Sequence, residues 1–235
     1  YLNYTDHVIF QSKYSINQCF EMLGEKKKKE YTIIINGADN SIFYPASENR
    51  NLDKVRFITT GNFRNIDMIE PVILAFDSLY KENLNFELNV VGPIVNESIK
   101  HFFERPYIIY HGSRKIDEVA DLLRNSDIFV YSHLNPPCPN SVIEAISCSL
   151  PVVGFNSGSM EELCHFNKDL LAYVSCDIFQ EYRDFDYTKL KEKILLCIEN
   201  FDKYKRKAIR HSKSYSFDKC GRKYVEVFNK INKLR

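Results

Sequence analysis

The sequence predicts an α/β protein built on a Rossmann-like, doubly wound parallel sheet. Three observations carry that expectation. Strand-sized segments such as PVVGF (residues 151–155), and VRFITT (55–60) apart from Arg56 and its two threonines, are apolar, as strands buried on both faces must be. Segments with apolar residues at helical spacing separate them, the pattern of a covered parallel sheet. Most strand ends run into Gly or Ser beside polar side chains, where ligands of such sheets bind. At 235 residues the chain is long for one domain and short for two, which predicts one full domain plus an appendage.

In chain order, DHVIF (6–10) reads as a short buried strand and residues 14–23 as a helix stopped at Gly24. The run Lys26 to Lys29 reads as a solvated loop. YTIIIN (31–36) is rich in strand formers and ends at Gly37, with Pro45 beyond. A polar linker, 46–53, leads to the strand 55–60 and Gly61. Ile66, Ile69, Val72, Ile73, Phe76, Leu79 and Tyr80 then recur at helical spacing, with Pro71 in the first turn or at a kink. The strand 86–91 ends at Gly92-Pro93, followed by a helix over 96–103, a strand over 107–110 and a helix over 116–123. Next come a strand over 127–131, a loop, a helix over 139–148, the strand 151–155, a short helix near 160–164 and a strand over 171–174. Three helical segments, near 188–200, 203–212 and 218–234, close the chain. The doubly wound domain accordingly spans about residues 46–200.

Composition narrows the function. Hydrophobic residues at 44% and charged residues at 27% exclude a disordered chain. A net charge of +1 supplies no bulk field for a polyanion, which argues against nucleic-acid binding by charge alone while leaving a local basic groove open. No apolar run reaches the eighteen or so residues of a membrane span. The chain opens on Tyr1 and shows no signal peptide, as expected of a processed chain or a piece of a longer one in the cytoplasm. Seven scattered cysteines without a C-x-x-C pair read as buried or incidental thiols in a reducing compartment. Cys164-His165 is adjacent rather than spaced for ligation, so no metal site is expected.

Four rim segments follow from the strand ends: 61–64, 112–114, 132–141 and 156–162. The densest is PPCPNSVIEA (136–145). Pro139 suits a first helical turn, and the amides of Asn140, Ser141 and Val142 then face outward at a positive helix end fit for phosphate. Glu144, a turn further in, is either a surface carboxylate or a bidentate acceptor for vicinal hydroxyls. In NSGSMEE (156–162), small residues let a ligand approach the backbone; equally, this is a plain strand-to-helix turn in which Ser157 or Ser159 caps the helix and Glu162 balances its dipole. Gly61-Asn62-Phe63-Arg64 is neither a dinucleotide fingerprint nor a Walker A loop, and Arg64 faces a phosphate or solvent. The absent dinucleotide fingerprint counts against a nicotinamide oxidoreductase. Of the histidines, His133 lies on the rim as a candidate sugar contact; His7, His101, His165 and His211 read as surface or core residues.

These motifs, in this order, resemble the carboxyl-terminal half of GT-B-fold retaining glycosyltransferases of group 1, the family four-like enzymes. NSVIEAISCSLPVVGFNSGSMEEL (140–163) resembles the donor-site signature. Asn36-Gly37-Ala38-Asp39 with Phe43 and Pro45 resembles the connection between the two GT-B domains, and DHVIFQSKYS the end of the preceding domain. The final helix resembles the one that crosses back to that domain.

The resemblance implies three parts: a remnant of the amino-terminal domain with the connection over 1–45, a donor-binding domain over 46–215, and a crossing helix over 216–235. It implies binding of a nucleotide-diphosphate sugar and its transfer with retention, usually without metal or other cofactor. Glu144 would hold the ribose hydroxyls, and the amides of Asn140, Ser141 and Val142 would face the diphosphate. Ser157, Gly158 and Ser159 would lie near diphosphate or sugar, with Ser113 and Arg114 beside the base. The acceptor, a sugar, lipid-linked glycan or other molecule, would bind the missing amino-terminal domain, and the isolated half would transfer little or nothing. Location would be cytoplasmic or peripheral to the inner membrane face. Three positions depart from the family pattern: Pro136 stands where a first glutamate is expected, and Asn62 and Asp67 where an arginine and a lysine are. A non-catalytic GT-B-like scaffold and a GT-B nucleotide-sugar epimerase are the alternatives.

Overall fold

The computed structural model describes residues 5–23, 30–46, 53–174 and 186–233. The expected helix stop at Gly24, the basic run Lys26 to Lys29, most of the polar linker and Cys176 lie outside the described residues.

The main sheet has six parallel strands: β3 (Val55–Thr60), β4 (Phe86–Val91), β5 (Ile108–Gly112), β6 (Ile128–Tyr131), β7 (Val152–Phe155) and β8 (Leu171–Ala172). They lie in the order β5-β4-β3-β6-β7-β8. Winding thus runs outward one way from β3 and then the other way from β6, with helices packed on both faces. Alternate residues serve the two cores. Phe57, Leu88, Val90, Ile128, Val130, Val153 and Phe155 pack into one, with α2 (Glu70–Lys81) and α6 (Tyr187–Glu199). Ile58, Val91, Phe129, Tyr131 and Val152 pack into the other, with α3 (Ile116–Arg124), α4 (Asn140–Ser147) and α5 (Met160–Leu163). Burial on both faces is why these strands read as apolar runs.

Several boundaries differ from the sequence reading. The helical spacing from Ile66 is broken: a 3-10 turn covers Ile66–Met68 and α2 starts at Glu70, with Pro71 inside its first turn, where a missing amide hydrogen costs nothing. Glu97–Phe103 is a 3-10 segment rather than an α-helix; Asn96 starts it by accepting from the Ser98 amide. The last strand stops at Ala172, two residues short of the expected end.

Ahead of this domain, β1 (Val8–Phe10), α1 (Lys13–Leu23) and β2 (Tyr31–Ile33) form a small unit of two parallel strands. Ring contacts of Phe10 with Phe20 (6.1 Å) and Tyr31 (5.9 Å) hold its helix to its strands. β2 ends at Ile33, so Asn36 belongs to the connecting segment. Ala38 of that segment bridges Ser216, at the start of α8 (Phe217–Asn232). Gly37 is required there, because a Cβ would sit 2.6 Å from the Ser216 carbonyl carbon. α8 follows α7 (Phe201–His211) and buries only Val227, while Phe217, Val225 and Phe228 are more than half exposed.

Candidate functional site

The carboxyl ends of β3 and β6 meet where the winding reverses, the place a doubly wound sheet opens a crevice. Gly61 follows β3 and His133 follows β6, and a Cβ on Gly61 would stand 2.8 Å from His133 Cε1. The imidazole therefore rests against the glycine, within ring contact of Tyr131 (5.0 Å) and Phe63 (6.5 Å). Burial lowers the His133 pKa, with the Asp67 carboxylate opposing, so the ring is neutral near neutrality. Gly92, at the end of β4, has φ +127°, and a Cβ there would lie 1.9 Å from the Gly61 carbonyl oxygen. Three strand ends thus close on one another through two glycines and one histidine. Along the same segment Phe63 is buried and bridges Ile94, while Asn62 and Arg64 point to solvent.

The rim segments at 132–139 and 156–160 form one unit. Asn135, at φ +53°, donates its amide to Ser157 Oγ (2.7 Å), which returns a bond to Asn135 Oδ1 (3.1 Å). The Ser159 amide donates to the Pro136 carbonyl (2.9 Å). Gly158, at φ +61°, lies so close that a Cβ would meet Pro136 atoms at 2.5 Å. The Ser157 hydroxyl is consumed by this brace. The Ser159 hydroxyl is fully buried without a hydrogen-bond partner among the described residues, so what this turn turns outward is the Gly158 backbone.

Pro139 is the residue before α4 rather than part of its first turn. Its extended backbone (φ −74°, ψ 115°) aims the chain into the helix, and no side chain caps the helix. The amides of Asn140, Ser141 and Val142 belong to the first turn, at the positive end of the helix dipole, but Val142 is fully buried in the core, so only Asn140 and Ser141 reach the surface as the sequence reading expected of all three. Asn140 is steadied from outside: Asn36 Nδ2 donates to its Oδ1 (2.8 Å), and Gln11 Nε2 donates to Asn36 Oδ1 (3.3 Å). One turn on, Glu144 shares the face of Asn140. Glu144 is half-buried, makes no hydrogen bond or ion pair with a described residue, and has its pKa raised by burial. A half-buried carboxylate with open acceptor positions carries a desolvation cost that a pair of donated hydroxyls would relieve.

The remaining expected residues lie apart. Ser113 and Arg114 follow β5, the far edge strand, and both are exposed. Behind them His111 Nε2 meets Asn89 Oδ1 at 2.8 Å; burial and then nearby Arg114 lower the His111 pKa. Glu162 does not serve its own short helix alone: its two carboxylate oxygens accept the amides of Lys13 and Tyr14, each at 2.9 Å, capping α1. Nothing local in the sequence signals a cap reaching across 149 positions. Sequence reasoning also missed Asn36 as a support of α4, although it had singled out the Asn36-Gly37-Ala38-Asp39 connection. Among the described residues no three His, Cys, Asp or Glu side chains gather as a cation site.

The six-stranded, doubly wound parallel sheet is Rossmann-like, and its likeness to known structures is to one half of the GT-B glycosyltransferase fold. The model of the family described as glycosyl transferases group 1 matches residues 54–181, and the chain belongs to that family. An uncharacterized glycosyltransferase of Methanocaldococcus jannaschii is 26% identical over 97% of this chain and 60% of its own length. A probable sucrose-phosphate synthase of Thermosipho melanesiensis is 21% identical over 94% of this chain and 52% of its own length. The solved sucrose-phosphate synthase of Thermosynechococcus elongatus has the same fold, with a TM-score of 0.76 at 14% identity, covering 98% of this chain and 59% of that one. The chain thus spans about half to three-fifths of the proteins it matches.

Proposed function

We propose that this chain is the donor-binding half of a retaining glycosyltransferase that moves a sugar from a nucleotide-diphosphate sugar to an acceptor. The single observation that carries the reading is the start of α4: a helix end with no side-chain cap and, on the same face one turn away, the Glu144 carboxylate, which has no partner among the described residues. Spacing of one turn suits a nucleoside diphosphate, with phosphates on the amides and ribose hydroxyls on the carboxylate. As the bond from anomeric carbon to diphosphate breaks, negative charge grows on the leaving oxygens. Fixed amide dipoles aimed at that charge lower the barrier without reorganising. Neutral His133 and the Gly158 backbone offer hydrogen bonds on the sugar side, Ser113 and Arg114 flank the base, and Arg64 and Asn62 border the crevice. No metal or other cofactor enters this scheme.

In this reading residues 1–45 are the end of the preceding domain and its connection, 46–215 the donor domain, and 216–235 the crossing helix. The exposed apolar side chains of α8 support it, since a helix that packs on a second domain needs such a face. The acceptor binds outside this chain, which by itself transfers little or nothing, and the whole protein works in the cytoplasm or at the inner membrane face. A non-catalytic GT-B-like module is the second reading. Pro136 favours it: where the family expects a carboxylate toward the sugar, this chain has a ring packed on Gly158.

Calorimetric titration with UDP, GDP, ADP and their common sugars, on the chain and on Glu144→Ala, tests the proposal. One diphosphate binds, and the substitution weakens it about tenfold or more, roughly 1.4 kcal/mol. Equal affinity for both proteins removes Glu144 from the site, and silence in the longer parent protein as well favours the non-catalytic module.

A further inference from the structure

A groove of about 310 Å³ lies between the connecting segment and the first half of α8. Asn36 and Tyr215 line one side; Lys219, Cys220, Arg222 and Lys223 line the other, with Glu226 at the end. Spacings of three and four residues place the three cations on one helical face, where like charges destabilise a helix. They are poorly compensated. The Lys219 ammonium donates to the Lys213 carbonyl (2.7 Å), and Arg222 and Lys223 form no hydrogen bond or ion pair with a described residue. Glu226, the sole carboxylate of the lining, pairs with neither. The bias extends further: residues 201–235 hold 12 Lys or Arg against 3 Asp or Glu, in a chain whose totals are 32 and 31.

We infer that this groove binds a phosphate group, separately from any ligand at the start of α4. Its size admits one phosphate or diphosphate group and excludes a nucleic-acid duplex. Its chemistry suits one: Arg222 supplies a planar fork for paired phosphate oxygens, and Lys219 and Lys223 supply point charges beside it. Asn36 links the two places, because it lines the groove while its side-chain amide holds Asn140 at the α4 terminus. A phosphorylated ligand in the groove therefore lies one residue from the start of α4. The inference does not depend on the donor reading. The phosphate belongs to a soluble ester or to a lipid headgroup.

Cys220, partly accessible in the groove wall, is a built-in reporter. Its alkylation by iodoacetamide, followed peptide by peptide by mass spectrometry, is measured alone, with pyrophosphate, and with phosphatidylcholine vesicles lacking or containing phosphatidic acid. The proteins are the chain, the Arg222→Glu/Lys223→Glu double variant, and Glu144→Ala. Pyrophosphate slows labelling of Cys220 in the chain and in Glu144→Ala, and in the double variant the concentration needed rises about tenfold or more, the loss of charge-assisted bonds. Protection by the phosphatidic acid vesicles alone assigns the headgroup as the source. Protection unchanged in the double variant, protection lost in Glu144→Ala, or no protection by either probe overturns the inference. Arg222 and Lys223 are exposed, so the double variant keeps the fold, checked by its melting temperature.

Discussion

Replacing Gly158 by alanine tests the claim that two rim loops act as one. The residue sits at φ +61°, where an L side chain costs about 1–2 kcal/mol. Its new Cβ would meet Pro136 N, O and Cδ at 2.5 Å, so the loops must part. Parting them endangers the bond from the Ser159 amide to the Pro136 carbonyl, about 0.5–1.5 kcal/mol. Together these make about 1.5–3.5 kcal/mol, which at this chain length is a fall in melting temperature of about 3–14 °C. The control is Gly221→Ala in α8, where nothing lies within 4 Å of the added Cβ. That change should stabilise by up to about 1 kcal/mol, the helical cost of glycine. Differential scanning calorimetry on both variants is the assay, with nucleoside diphosphate titration alongside. Gly158→Ala should also weaken diphosphate binding, because the 132–139 loop delivers the chain into α4. A melting temperature within a degree of the parent would refute the brace, and a fall in Gly221→Ala would refute the steric reasoning behind both.

Other outcomes follow from the same geometry. Glu162→Ala should lower stability by about 1–2 kcal/mol, the usual cost of losing a helix cap, with hydrogen exchange quickened at Lys13 and Tyr14, and Glu162→Gln should lose less. His133 has its pKa held below the usual 6.5 by burial, so its contribution is full above that pH and is lost as pH falls through its folded value. His133→Gln should therefore flatten the acid limb of stability against pH; an unchanged limb would place the ring in solvent. Glu144 runs the opposite way. Burial raises its pKa above 4.5, so its contribution is present below that pH and is lost as pH rises through its folded value. Glu144→Gln should raise the melting temperature at pH 7 while leaving it unchanged near pH 4, and equal shifts at both would show that packing rather than charge is responsible.

Much of the architecture was legible because it rests on local periodicity. The short, β-branched and aromatic-rich segments at 55–60, 86–91 and 151–155, the first two ending at glycine, read as strands of a covered sheet, and β3 and β4 fall on the expected residues. The break before α2 was less legible, since Ile66 keeps helical spacing with Ile69 and Ile73 whether the turn between them is α or 3-10. Of the candidate site, α4 and its Glu144 were readable, being one helix start and one turn.

What the sequence by itself determined is therefore what neighbours within a few positions decide: strand or helix, buried face or open face, and which segments end at the rim. Tertiary structure alone decided how the rim is assembled. Ser157 read as either a helix cap or a neighbour of the ligand, and its hydroxyl is in fact bonded to Asn135, 22 positions away. Glu162 looked like the partner of its own helix, but its carboxylate caps α1. Asn36 looked like part of a connection, but it steadies Asn140 across 104 positions. A hydrogen bond needs its partners within about 3 Å in space and is indifferent to their separation in the chain, so such pairings leave no periodic trace in a sequence.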